Sequence, residues 1–381
     1  MVNIIYRHYR PGDEQQLADL FNKAFPMELG GYVRTPKSWA WRYLQSPDFE
    51  PEMCQIAEDS DNDLIVGVIY VNLIEDIIIG GEKYLTGELN ELACDPEYTR
   101  RGIANNLVDM AEEYMKRKGC DITIFNTDEK GIPRERLFLK KEYFDLETYF
   151  AFLNVANPFK LVRDLPILAG FLPLFIFNSY IPRIINRIRI RRNKFFKTIS
   201  CEIDHNSGHY EYMDAANRII PKYYDGFPGY DKNKINWARV RVVSKRHEPT
   251  YIKLKRNNVI IGGATLTFFN MYSFKFGVKI RVGLVHEIFL EENQFDNQRN
   301  LHLGYIKIID NLLKAATRRF IGVLLYQTDS KNKYLHKALT RMNFPKFPGE
   351  VIMIKILKKK IKPLIIKKPF YMPTYVSRGF P

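Results

Sequence analysis

A chain of 381 residues with 46% hydrophobic and 14% aromatic side chains carries enough apolar surface for two cores, which excludes global disorder. Its four cysteines (Cys54, Cys94, Cys120, Cys201) lack C-x-x-C spacing, so no disulfide frame or metal site is expected, and the thiols read as reduced in a cytoplasmic compartment. The net charge of +15 sits in two acid-free stretches, one between Leu165 and Cys201 and one after Glu350, so a nucleic-acid binder with charge spread over a folded face is not expected.

In chain order, Met1 to Arg7 lacks a basic start followed by a long apolar run, and no secretory signal is expected there. Pro11-Gly12-Asp13 leads into a helix over about residues 14–25, with Leu17, Leu20, Phe21 and Ala24 at helical spacing. Strands rich in Ile and Val are predicted at about 53–58, 64–74, 82–94 and 121–126. Between the last two, a helix over about 102–118 aligns Ile103, Leu107, Met110, Ala111 and Tyr114 and stops at Gly119. Residues 165–181 form the most apolar run, shorter than the ~20 residues of a spanning helix and broken by Pro166 and Pro173. A cationic, Ile-interleaved stretch follows to Lys194. The apolar run either packs in a groove between two domains or, with residues 165–197 as a unit, anchors on an anionic membrane surface; the tail over 355–368 is a second such candidate.

The pattern then starts again. Asp63-Leu64-Ile65-Val66-Gly67 answers Asn258-Val259-Ile260-Ile261-Gly262, the stretch from Gly87 to Cys94 answers that from Gly283 to Leu290, and Thr127-Asp128 answers Thr328-Asp329. About five extra residues precede the second central helix. The fold class expected is α/β, in an α+β three-layer arrangement of two tandem domains, each with a mixed, mostly antiparallel sheet flanked by helices. The expected division is 1–158, a linker at 159–200, a second domain at 201–358 and a basic tail at 359–381.

The segment Asp95-Pro96-Glu97-Tyr98-Thr99-Arg100-Arg101-Gly102-Ile103-Ala104-Asn105 runs from strand to helix, and puts free backbone N–H groups and a helix dipole at one point, a natural pyrophosphate site. Gly102 and Ala104 permit close approach, and Arg100 and Arg101 add cationic donors. The stretch resembles motif A of the GNAT acyltransferases, with Thr99 standing where the family has Arg or Gln. The resemblance covers nearly all of residues 3–153 and implies acyl-CoA as co-substrate, acetyl-CoA first. It implies that the backbone of Ala93 and Cys94 pairs with the pantetheine arm, that Arg100 to Asn105 (including Ile103) hold the pyrophosphate, and that Asn126 contacts the cofactor. It also implies that Tyr32, Arg34 and Trp41 line the acceptor side.

Acyl transfer to an amine needs a base, and Glu88 and Glu91 on the strand before the loop are the candidates. Glu88, fourteen residues before Gly102, resembles the family's glutamate base in placement and is preferred, because Glu91 has a counterpart, Glu287, in the second copy. Phe138 stands where the family has an acid tyrosine, and Tyr143 is read as core. The second copy replaces the small loop residues with Leu301 and Leu303, so it reads as degenerate. Tandem acyltransferases such as mycothiol synthase are similar in having one working and one supporting half. The function expected is N-acyl transfer by direct attack, with an amine of a small molecule, sugar or polypeptide as acceptor; the alternative is a non-catalytic acyl-CoA-binding or interaction module of the same fold. The expected location is cytoplasmic, with a peripheral place at the inner membrane face.

Overall fold

A computed structural model describes residues 2–25, 33–205, 209–230, 249–273, 277–358, 366 and 368–371. β1 (Ile4–His8) is followed by α1 (Glu14–Ala24), which buries Leu17, Ala18 and Leu20 at helical spacing. The short α2 (Pro36–Trp39) is capped reciprocally by Thr35 and Ser38 and runs into a π turn at Ala40–Leu44. β2 (Cys54–Asp59), β3 (Leu64–Ile79) and β4 (Glu82–Cys94) form an antiparallel meander, with β3 longer than its sequence pattern predicts. α3 (Ile103–Arg117) then crosses over to β5 (Ile122–Asp128), which runs parallel to β4.

β6 (Phe144–Val155), α4 (Pro158–Asp164) and α5 (Leu172–Arg192) lead into the second copy. There β7 (Ile199–Asp204), α6 (His209–Tyr223), β8 (Thr250–Arg256), β9 (Val259–Ser273), β10 (Val278–Leu290), α7 (Gln298–Arg318), β11 (Val323–Asp329), α8 (Lys333–Arg341) and β12 (Lys346–Ile356) follow in order. The repeat holds at the level of register. Gly67 opposes Cys94 as Gly262 opposes Leu290, and Gly87 lies beside Thr123 as Gly283 lies beside Leu324. These glycines face packed helices or strands: a Cβ on Gly67 would stand 2.6 Å from the Ile103 side chain.

No break in the sheet falls at the expected boundaries 158 and 358. All twelve described strands form one sheet in the order β1-β2-β3-β4-β5-β12-β6-β11-β10-β9-β8-β7. The halves exchange their last strands: β12 pairs antiparallel with β5 of the first half, and β6 pairs antiparallel with β11 of the second. Ile352, Met353 and Ile354 of β12 are fully buried in the first half's clusters, each contributing about 1.5–3 kcal/mol of apolar burial.

One expectation changes at α5. Pro173 does not break the apolar run, because it sits in the first turn of α5 where its missing N–H is harmless, and the helix continues through Pro182 to Arg192. The described residues near the end of β12 and at 370 are tied down by pairing and burial. Lys355 pairs with Glu112 and Lys358 with Asp121, while Phe370 is fully buried against Tyr149, whose hydroxyl donates to the Phe370 carbonyl. The rest of the 359–381 stretch, apart from residues 366 and 368–371, lies outside the described residues.

Candidate functional site

β4 and β5 pair only from Thr86–Ile122 to Leu89–Phe125. Just beyond, β4 bulges: Asn90 opposes Tyr70 and Ala93 opposes Val68, leaving Glu91 and Leu92 against the single residue Ile69. Glu91 adopts the left-handed φ of 55° that the extra residue demands. The bulge steers β4 away from β5, and the gap opens into a cleft of about 1070 Å³. Leu89, Asn90, Glu91, Leu92 and Cys94 form one wall, and Phe125, Asn126, Thr127 and Asp128 the other.

The loop before α3 closes one end. Asp95 caps its turn by accepting from Glu97 N at 3.0 Å and is held by Lys23 at 2.9 Å. Arg100 (φ 64°) and Gly102 (φ 79°) both take left-handed backbone, which turns the chain sharply into α3. The first N–H groups of α3, at Ile103, Ala104 and Asn105, have no intrahelical acceptor and lie at the cleft, together with Arg100 and Gly102. Arg136 also lines the cleft. Asn126 Oδ1 is buried without a hydrogen-bond partner, an acceptor waiting for a donor from a ligand.

The expected residues divide as follows. Cys94, Arg100, Gly102, Ile103, Ala104, Asn105, Asn126, Glu91 and Arg34 line the cleft. Ala93 does not: it is buried in the α3-side core. Arg101 is exposed and lies 5.1 Å over the Tyr98 ring, outside the cleft. Tyr32 and the side chain of Trp41 lie outside the described residues, while Trp39 is a fully buried core residue. Phe21, Phe25, Arg136, Phe269 and Glu350 line the cleft without having been expected in the site. Phe269 and Glu350 come from the second half, through β9 and the exchanged β12, and no local pattern could have found them.

The two expected bases sit in different surroundings. Glu88 is buried, accepts from Asn72 Nδ2 at 3.4 Å and does not line the cleft. Glu91 lies between two guanidinium groups, Arg34 at 2.9 Å and Arg42 at 3.0 Å. Burial would raise its carboxyl, but Arg34 and Arg42 outweigh that and hold it at about 2. A carboxylate that acidic accepts a proton poorly at neutral pH. Asn22 brackets the Arg34 backbone with two hydrogen bonds of 2.8 and 2.9 Å, so α1 fixes this cluster. Two other carboxylates line the cleft, Asp128 and Glu350, directly opposite each other across the β5–β12 ladder.

Burial pushes the Cys94 thiol up to about 11. Phe138, in the place of an acid tyrosine, is fully buried and stacks on Phe125 at 4.0 Å. Tyr143 packs edge-on against Phe138 in the core. Tyr98 lines the cleft but donates to Asp59 at 2.6 Å.

The corresponding gap in the second half is plugged. β10 bulges at His286–Glu287 and parts from β11 after Tyr326, as β4 does from β5. Tyr149, Tyr224, Tyr326, Phe370 and Tyr371 fill the opening and leave about 20 Å³, room for one water. At the start of α7, Leu301, His302 and Leu303 are buried, and a Cβ on Gly304 would stand 2.7 Å from Phe295. Glu287 accepts from Tyr212 at 2.5 Å and Thr265 at 2.6 Å, and burial raises its carboxyl where Glu91 is lowered.

Residues 15–142 match the acetyltransferase (GNAT) family. A curated relative in Escherichia coli K12, described as the uncharacterized N-acetyltransferase YafP, is 28% identical over 108 residues, 28% of this chain; the match spans 65% of that relative's length, just under two thirds. Saccharomyces cerevisiae N-myristoyltransferase, solved with bound myristoyl-CoA, superposes with a TM-score of 0.67 at 10% identity, covering 93% of this chain and 78% of that one. A GCN5-related N-acetyltransferase from Sphaerobacter thermophilus superposes with a TM-score of 0.59 at 10% identity, covering 95% and 97%. At such identities the likenesses establish a shared fold.

Proposed function

We propose that this chain, whose residues 15–142 match the GNAT family, is an N-acyltransferase with one acyl-CoA site, in the cleft between β4 and β5. The observation that carries the reading is the meeting of a strand gap and a helix N-terminus in one cleft. Backbone of β4 past Leu89 is available to the pantetheine amides, and the N–H groups of residues 103–105 with Arg100 suit a pyrophosphate. The family match and the N-acyltransferase neighbours support the same class of co-substrate. Acetyl-CoA is the donor this reading starts from; the neighbour that holds myristoyl-CoA makes a longer chain the alternative.

Transfer by direct attack is the route of this reading: the amine nitrogen adds to the thioester carbonyl, the C–S bond breaks, and the thiolate leaves. Asp128 and Glu350 line the cleft and are the carboxylates this reading assigns to take the amine's proton, because Arg34 and Arg42 hold Glu91 too acidic for that role. The acceptor is an amine of a small molecule, a sugar or a polypeptide. Calorimetry with acetyl-CoA and with myristoyl-CoA tests the site. Binding of one of them, lost in Ala104→Trp, is expected, and no binding of either refutes it. A second reading, an acyl-CoA binder without turnover, draws on the ion-paired Glu91 and on Phe138. Amine-dependent release of free thiol, reduced in Glu350→Gln with acyl-CoA affinity kept, separates the enzyme from the binder.

A further inference from the structure

α5 is inside out. The side chains it buries are Ser179, Arg183 and Asn186. Ser179 donates to the Val155 carbonyl at 2.6 Å, and Arg183 and Arg187 reach the two oxygens of Asp310 at 3.1 and 2.7 Å. The opposite face is apolar and open: Leu174, Phe177, Ile181, Ile184, Ile185 and Ile188 are 37–60% exposed. Steps of three and four residues put these six in one stripe along the helix. Phe171 and Ile167, 55% and 81% exposed, extend it towards the N-terminus. Soluble helices carry the reverse polarity, and a continuous apolar patch of this length marks a surface that is covered in use.

The charges identify what covers it. Arg189, Arg191, Arg192, Lys194 and Lys197 follow the stripe and are exposed, and no acid occurs between Leu165 and Cys201. An apolar stripe beside cations fits hydrocarbon beneath a layer of anionic headgroups. A second copy of the chain would instead bring the same cations against these. The segment Pro166–Arg192 is also long and apolar enough to cross a membrane, and little of it is buried. Crossing would strip Arg183 and Arg187 from Asp310 and put both in hydrocarbon, whereas lying flat keeps both pairs.

We propose that α5 docks this protein on an anionic bilayer surface, its stripe at the boundary of headgroup and acyl chain and its C-terminal cations on lipid phosphates. The start of the helix is rooted beside the cleft: Phe175 and Leu168 pack on the Leu161–Ile280–Val282 cluster, as does the cleft residue Phe269.

The test is co-sedimentation of the full chain with phosphatidylcholine vesicles, with and without phosphatidylglycerol. Binding to the anionic vesicles, weakened by salt, is expected. The triple variant Phe177→Glu, Ile184→Glu, Ile188→Glu should lose binding by on the order of 100-fold. Removing Arg191, Arg192 and Lys194 as alanines should cost about fivefold per charge. All these positions are solvent-facing, so unchanged melting temperatures show that the variants fold. Failure to bind either vesicle, or equal binding to both, overturns the proposal. So does resistance to alkaline carbonate extraction, which means spanning, or a concentration-dependent dimer abolished by the same variants, which means a second copy covers the stripe.

Discussion

Replacing Glu91 with Gln tests whether the Arg34–Glu91–Arg42 cluster is an ionic clamp. All three side chains are at most 8% exposed, so the substitution leaves two buried guanidinium groups facing a neutral amide. The carboxyl is held at about 2 in the folded chain, against an ordinary value of 4.5. A depressed folded value contributes stability above the unfolded value and loses it as pH falls towards the folded one. Lowering the carboxyl from 4.5 to about 2 corresponds to about 3 kcal/mol at pH 7. At about pH 3.5 the unfolded chain is mostly protonated at this site, and about 2 kcal/mol remains. Urea denaturation of both proteins at the two pH values should therefore show Glu91→Gln less stable by about 3 kcal/mol, with the difference narrowing by about 1 kcal/mol at the lower pH. A variant as stable as the parent at pH 7, or a gap that widens on acidification, refutes the clamp.

The strand exchange predicts that residues 1–158 alone, deprived of β12 between β5 and β6, show no cooperative melting by circular dichroism, whereas the full chain does. Gly262→Val puts a Cβ 2.4 Å from the Leu290 side chain and 2.8 Å from the Phe289 carbonyl oxygen; it should cost roughly 1–3 kcal/mol in a denaturant titration. Phe269→Asp, in the second half, should weaken acyl-CoA binding measured by calorimetry without altering the fold seen by circular dichroism. Cys94, its thiol raised to about 11, should react with iodoacetamide at pH 7.5 far more slowly than a free thiol, and its rate should climb through alkaline pH.

What was legible in the sequence is what chain neighbours decide. Leu17 and Leu20 at helical spacing, the Ile-rich strands and the Arg100–Ala104 turn into α3 are local patterns, and the elements and one end of the cleft stand where those patterns put them. The recurrence was legible too: Gly67 opposes Cys94 as Gly262 opposes Leu290, and a side chain at either position would be crowded. Tertiary structure decided matters of partnership. β6 and β12 are both apolar closing strands, and pairing β12 with β5 is a choice among segments some two hundred residues apart, which no local period encodes. That choice carries Glu350 to the cleft mouth, and the sheet it completes brings Phe269 to the wall. The role of Glu91 likewise depended on Arg34 and Arg42 folding over it, since a carboxylate's basicity is set by the charges around it. The sequence held the composition of α5, but its orientation came from elsewhere: Asp310 on α7 draws Arg183 and Arg187 inward, so the isoleucines are left facing out.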